Sequence, residues 1–170
     1  RELHVVIPPE RLEQARATAA ALGEEISRQF PLVPGMRPAA DHPLELLLNN
    51  TWRPALAVTG AAGLPEPEDA GNVLRPMTAV KLSLRLPPTA DAARASRRLE
   101  EILEADPPYG ARVTFTPQIP SAGWNAPPMS PWLLDSVNRA SAACFGKPVM
   151  FIGVGGTILR ALIETAQARG

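Results

Sequence analysis

Proline sets the limits on what this chain can fold into. Twenty of its 170 residues are proline, and many stand in three clusters: PLVPGMRPAADHP (31–43), GLPEPEDAG (63–71) and TPQIPSAGWNAPPMSP (116–131). Proline has no amide hydrogen and a fixed φ, so it is excluded from helix interiors and central strands. The clusters therefore read as ordered loops or linkers that cut the chain into short elements. Neither an internal repeat nor a low-complexity segment is visible.

Between the clusters, periodicity names the elements. Residues 3–7, LHVVI, read as a short strand. Pro8 and Pro9 then open a helix with Leu12, Ala15, Ala19, Leu22, Ile26 and Phe30 spaced by three and four, a one-sided stripe that needs a surface to lie on. The stretch 43–49 suggests a second short helix, although LELLL is too short to tell from a strand. Residues 55–60 read as a strand ending at glycine. In residues 80–86, Val80, Leu82, Leu84 and Leu86 alternate strictly with Lys81, Ser83 and Arg85, the pattern of a half-buried strand. Pro87 and Pro88 stop it.

Thr89 is then the expected helix N-cap, with Asp91 in the first turn. The helix to about residue 105 should bury Ala92, Ala95, Leu99, Ile102 and Leu103, and ARVTFTP (111–117) alternates as a further strand. Two strands, a helix and a strand in succession predict an α+β fold. The most economical form is a two-layer ferredoxin-like sandwich, an antiparallel sheet with helices on one face. After a boundary near residues 118–130 the grammar changes. Ser130-Pro131 starts a helix that Gly146 ends. VMFIG (149–153) reads as a buried strand, and GVGGT turns into a final helix over 157–168. This helix–strand–helix segment has α/β character.

Charge and composition exclude several classes. Lys and Arg balance Asp and Glu at 17 each, so no basic footprint points to nucleic acid or to an anionic membrane. No apolar run approaches the ~20 residues of a membrane span. The single cysteine, Cys144, excludes an internal disulfide framework and reads as a small core residue. His4 and His42 are the only histidines and neither has ligand-like spacing, so no metal site is expected in this chain. No serine sits in a G-x-S-x-G elbow. The chain starts at Arg1 without a signal-like segment, as a piece of a longer product would.

Three places could still carry chemistry. The turn GVGGT (153–157) could face an anion such as a carboxylate; as a dinucleotide fingerprint it is incomplete, because the third glycine would fall at Ile158. Arg85 is either a solvated strand-end charge or a guanidinium placed for bidentate capture of a carboxylate. Asn72 follows a glycine and suits a turn.

Taken in order, NNTWRPALAVTG (49–60), AGNVLRPMTAVKLSLRLPP (70–88), DPPYGARVTF (106–115), GWNAP (123–127) and FGKP…GVGGTI (145–158) resemble one family. It is the dinuclear-zinc metallopeptidase family of carnosinase, aminoacylase and succinyl-diaminopimelate desuccinylase, and the nearest variety is the carnosinase-like dipeptidase group. The resemblance implies that residues 1–118 form most of an inserted lid domain, ferredoxin-like and homodimer-forming. Residues 119–170 would be a linker and the return into a catalytic domain. It implies that Arg85, in Ser83-Leu84-Arg85 before the prolines, binds the substrate's C-terminal carboxylate, often across the dimer. Asn72, thirteen residues earlier, would contact the substrate near the scissile carbonyl. Gly155-Gly156-Thr157-Ile158 matches the family's GG-[ST]-I-P turn, so Gly156 and Thr157 would help hold the carboxylate.

In the whole family the substrate is a dipeptide or N-acyl amino acid and the cofactor is two zinc ions. The family's H-x-D motif, paired glutamates, late histidine ligand and His-Ser-Gly lid segment have no counterpart here. Val154 stands where Glu is usual, and Leu159 where Pro is usual. The expectation is a lid and carboxylate clamp, with no cofactor and no hydrolysis of its own, whose partners are a second copy and the missing catalytic domain. The alternative is a stand-alone dimerising or ligand-binding module without peptidase activity.

Overall fold

The computed structural model describes residues 2–153. Over them the chain is a mixed α/β structure with five α-helices and one two-stranded antiparallel sheet. In chain order the elements are α1 (Pro9–Leu22), α2 (Glu25–Arg28), α3 (Pro43–Thr51), β1 (Ala55–Ala62), β2 (Ala79–Arg85), α4 (Ala92–Glu104) and α5 (Pro131–Phe145).

The core is helical. Ala19 of α1, Ile26 of α2, and Leu44, Leu46, Leu47 and Leu48 of α3 bury together with Trp52, and Leu12, Ala15 and Phe30 pack at its margin. The apolar stripe read from the sequence therefore finds its surface in α3. It does not run through one helix, because Gly23 takes φ +52°, a left-handed conformation that ends α1 while its N–H donates to the Ala19 carbonyl. The chain re-enters the helical region one residue later, so Ile26 still reaches the core. The undecided LELLL is a helix; Pro43 opens it, and the Nδ1 of His42 caps it by accepting from the Leu44 N–H at 3.2 Å.

β1 and β2 pair from Ala55 opposite Arg85 to Ala62 opposite Ala79, with a register irregularity between Val58 and Gly60. β1 runs two residues past the glycine expected to end it. Every residue of β1 is exposed, and on β2 only Leu82 and Leu84 are half-buried. Helices α1, α2 and α3 pack on one another, whereas the sheet packs strand on strand.

Three stretches expected as strands are not strands. Residues 3–7 run irregularly and give Val5 and Ile7 to the helical core. Residues 111–117 follow α4 without a sheet partner among the described residues, held where the Phe115 N–H donates to a Glu104 carboxylate oxygen. Residues 149–153 are irregular as well, and Met150 and Ile152 are exposed rather than buried.

The start of α4 also differs from expectation. Pro87 to Ala90 form a turn closed by the Ala90 N–H on the Pro87 carbonyl at 3.0 Å, which uses up Thr89. Asp91 is the N-cap, its Oδ1 accepting from the Arg94 N–H at 2.9 Å. Ala92 and Ala95 are buried, whereas Ile102 and Leu103 are exposed. α5 starts at Pro131 and ends at a left-handed Gly146 as expected. Cys144 near its end is exposed, so it is not the core residue its helical position suggested. The expected final helix, 157–168, lies outside the described residues.

Candidate functional site

Arg85 is the last residue of β2, and two features make that end of the strand rigid. Pro87 is fully buried, and Gly123 of the GWNAP segment lies directly on the double proline: a Cβ at position 123 would stand 2.6 Å from the Pro88 Cα. Only glycine permits that approach. The same segment reaches α1, where the Arg11 guanidinium donates to the Ala126 carbonyl. The strand exit is thus tied through 123–126 to the helical body.

The charges at this end are unequal. Arg53, two residues before Ala55, is half-buried and committed: it lies 2.7 Å from a Glu45 carboxylate oxygen and 2.7 Å from the Asn49 side-chain oxygen. Arg85, cross-strand from Ala55, is exposed, and among the described residues its guanidinium has no ion pair and no hydrogen bond to a side chain. Lys81, Ser83 and Arg85 share one face of β2 by strand alternation. An exposed guanidinium on a fixed strand end has five donors in a plane and can take a carboxylate in bidentate fashion.

Asn72 lies in the exposed connection 63–78 between β1 and β2, where the Val73 N–H donates to the Gly71 carbonyl at 2.9 Å in a tight turn. That connection leaves the hairpin at Ala62 and Ala79, the opposite end from Arg85. Six strand rises separate Ala79 from Arg85, roughly 20 Å. The two residues that the resemblance groups together are therefore not brought together by the hairpin. Gly156 and Thr157 lie outside the described residues.

Other features of this region were not legible in the sequence. The Arg53–Glu45–Asn49 cluster could have been suspected from its i, i+4 spacing. The seating of Gly123 on Pro88 and of 149–153 on the helices links positions far apart in the chain, and no local pattern announces it. One shallow cavity, about 300 Å³, lies between α1 and the start of α3, lined by Arg16, Ala19, Ala20, His42, Pro43 and Leu44. No group of three or more His, Cys, Asp or Glu side chains among the described residues could hold a metal ion. None of the described helices is long and apolar enough to cross a membrane.

With this geometry in hand, the chain can be set against known proteins. No family model matches it. Over 119 residues it is 28% identical to a cysteinylglycine-S-conjugate dipeptidase of Corynebacterium striatum, a match covering 69% of this chain and 25% of that protein. Its structure is similar to that of human carnosine dipeptidase 1, with a TM-score of 0.64 at 19% identity over 97% of this chain and 35% of that one. The chain thus shares its fold with part of one dipeptidase and is a distant sequence relative of another. It spans between a quarter and about a third of their lengths.

Proposed function

We propose that this chain is the lid and substrate-holding part of a zinc-dependent metallopeptidase of the dipeptidase or amidohydrolase type. Its role is to grip a carboxylate while the rest of the parent protein cuts an amide bond. The observation that carries the reading is Arg85: an exposed guanidinium that has no partner among the described residues, on a strand end fixed by Pro87, Pro88 and Gly123. The similarity to two dipeptidases supports it.

Residues 1–118 are the lid in this proposal, with a ferredoxin-like plan of which β1, β2 and α4 are the regular part. Residues 119–170 return toward a catalytic domain. The described residues do not fit a zinc site, so no step of hydrolysis is assigned to them; the two zinc ions would belong to the parent's other domain. What this chain contributes is orientation. Arg85 fixes one end of a dipeptide or N-acyl amino acid, and holding a reactant in place can lower a barrier by several kcal/mol. Asn72, supplied by a second copy of the chain, steadies the carbonyl side, and Gly156 and Thr157 hold the carboxylate tail.

NMR titration of the chain with N-acetylglycine tests the clamp, with N-acetylglycinamide as the uncharged control. The acid should bind and the amide should not. Arg85→Ala should weaken binding about tenfold, the size of a lost charge-assisted hydrogen bond, and Arg85→Lys should recover part of it. Equal affinity of wild type and Arg85→Ala would remove the basis of the reading.

A stand-alone assembly module is the second reading, favoured by the sheet. Leu56, Val58 and Val80 are exposed, and among the described residues each of the two strands has one unpaired edge. A chain that dimerises in light scattering yet shows no affinity for N-acetylglycine would support this reading over the clamp.

A further inference from the structure

The cavity of about 300 Å³ between α1 and the start of α3 has no part in the clamp. Its floor is rigid, because Ala19 and Leu44 are buried members of the helical core. Ala20 and Pro43 complete the apolar lining. Two consecutive alanines keep this side of α1 shallow, so the space between them and Pro43-Leu44 stays unfilled. The volume lies at the lower end of the ~300–1,000 Å³ usual for small-molecule pockets.

The polar side chains of the lining are Arg16 and His42. Other arginines of the helical body are spent. Arg11 donates to the Gln14 side-chain oxygen at 2.9 Å and to the Ala126 carbonyl, Arg28 pairs with Glu25, and Arg53 with Glu45 and Asn49. Arg16 is not: its ion pair is with Glu13 on the same helix at 3.7 Å, and among the described residues it makes no hydrogen bond. Both side chains are exposed, and a pair that long stabilises little, so an incoming anion can replace Glu13 at small cost.

The His42 ring is fixed by its cap. Its Nδ1 accepts from the Leu44 N–H at 3.2 Å and so carries no proton. The neutral ring then holds its hydrogen on Nε2, which has no partner among the described residues and remains a donor. The amides that open α3 cannot serve instead. Pro43 has none, the Leu44 N–H goes to the His42 ring, and those of Glu45 and Leu46 donate to the His42 carbonyl at 3.0 and 3.2 Å. An anion here is held by side chains and not by the helix end.

We propose that this cavity binds a small monocarboxylate with a compact apolar body. The Arg16 guanidinium takes the carboxylate, the His42 Nε2–H donates to it, and the body covers Ala19, Ala20, Pro43 and Leu44. Charge selects the head, and the burial of apolar surface selects the body. The proposal uses none of the residues assigned to the clamp.

Phenylacetate is the probe, titrated into the full chain while the methyl resonances of Ala19, Ala20 and Leu44 are followed by NMR. They should shift together and saturate. Phenylacetamide, of the same shape without the charge, and acetate, with the charge and no ring, should each bind at least about tenfold more weakly. Arg16→Gln should weaken phenylacetate about tenfold, the scale of a charge-assisted hydrogen bond. His42→Asn keeps a capping oxygen for α3 and removes the Nε2 donor, and should lose about fivefold. Ala20→Leu fills the cavity with both donors in place and should abolish the shifts at Ala19 and Leu44.

The absence of a saturating shift at these three residues overturns the site. So does phenylacetamide or inorganic phosphate binding as tightly as phenylacetate, or an Arg16→Gln chain with wild-type affinity. Arg85→Ala should leave the shifts unchanged; their loss in that variant would place the probe at the strand end and overturn the site as well. If N-acetylglycine binding is indifferent to Arg85→Ala while these shifts persist, the clamp fails and the cavity site stands.

Discussion

Gly123→Ala is the sharpest perturbation available near Arg85, because the steric conflict involves backbone. The added Cβ would stand 2.6 Å from the Pro88 Cα, 3.3 Å from the Pro88 nitrogen and 3.4 Å from the Pro87 carbonyl oxygen. Ordinary carbon–carbon contact is ~3.5–4.0 Å, so about 1 Å of separation must be found. No side chain can swing away to supply it. Pro88 has its φ held by the ring, and Pro87 is fully buried. Either the double proline leaves its seat or the 123–126 segment lifts and strains the Arg11 bond to the Ala126 carbonyl. Overpacking of this kind costs ~1–3 kcal/mol. For a chain of this length that lowers the thermal midpoint by roughly 2–12 °C. Gly71→Ala is the matched control, since a Cβ there meets nothing within 4 Å, and its cost should stay within ~0.5 kcal/mol. Both variants can be followed by calorimetry and by tryptophan fluorescence, with Trp124 next to the substitution. A Gly123→Ala chain as stable as Gly71→Ala would show that the strand exit is not held by this contact.

Two further outcomes follow from the fold. Asp91→Ala removes the cap of α4 and should cost ~1 kcal/mol in urea unfolding, whereas Thr89→Ala should cost little, because Asp91 and not Thr89 accepts from the Arg94 N–H. The Arg98 guanidinium, hydrogen-bonded to Glu2 at 2.7 Å, holds that carboxyl below its ordinary value of 4.5. A lowered carboxylate contributes stability above its unfolded pKa and loses it as pH falls through the folded one. The difference in thermal midpoint between wild type and Glu2→Gln, measured across a pH series, should therefore be present at neutral pH and close below about pH 4.5; a constant difference would contradict the ion pair.

Where local chemistry decides, the sequence was legible. Pro9, Pro43 and Pro131 each open a helix, Gly146 closes one, and the alternation around Leu82 and Leu84 gives β2. Where a distant partner decides, it was not. Residues 111–117 alternate as β2 does, but alternation describes only a side-chain pattern, and a strand exists only when another backbone takes its hydrogen bonds. Val5 and Ile7 are apolar for the same reason Leu12 is, namely the helical core, and that core can be met by an irregular segment as well as by a strand. The stripe through Ile26 and Phe30 concealed a break at Gly23, because α2 restores the same side of the core after one residue. Of the site, Arg85 and Asn72 were legible as residue types in a motif. Their placement at opposite ends of one hairpin required the register of Ala55 with Arg85 and Ala62 with Ala79.

That placement decides how a clamp using both residues could work. A dipeptide is shorter than the roughly 20 Å of strand between Ala79 and Arg85, so the two ends of one hairpin do not suit one small ligand. β2 has one edge paired to β1 and, among the described residues, one edge free. If two copies join along that free edge, antiparallel about a two-fold axis at Leu82, Arg85 of one copy falls opposite Ala79 of the other. Ala79 adjoins the connection that carries Asn72, so each of two equivalent sites would take its arginine from one chain and its asparagine from the other. Subunit mixing tests the arrangement. Arg85→Ala and Asn72→Ala should each bind N-acetylglycine weakly as pure proteins. After mixing and re-equilibration, hybrid dimers hold one site with both residues intact and one with neither, so about a quarter of all sites should recover full affinity, half of the dimers being hybrids in a random equal mixture. Light scattering must show a dimer in the same samples. Dimers whose hybrids recover no sites would refute the shared clamp and leave Arg85 acting without Asn72.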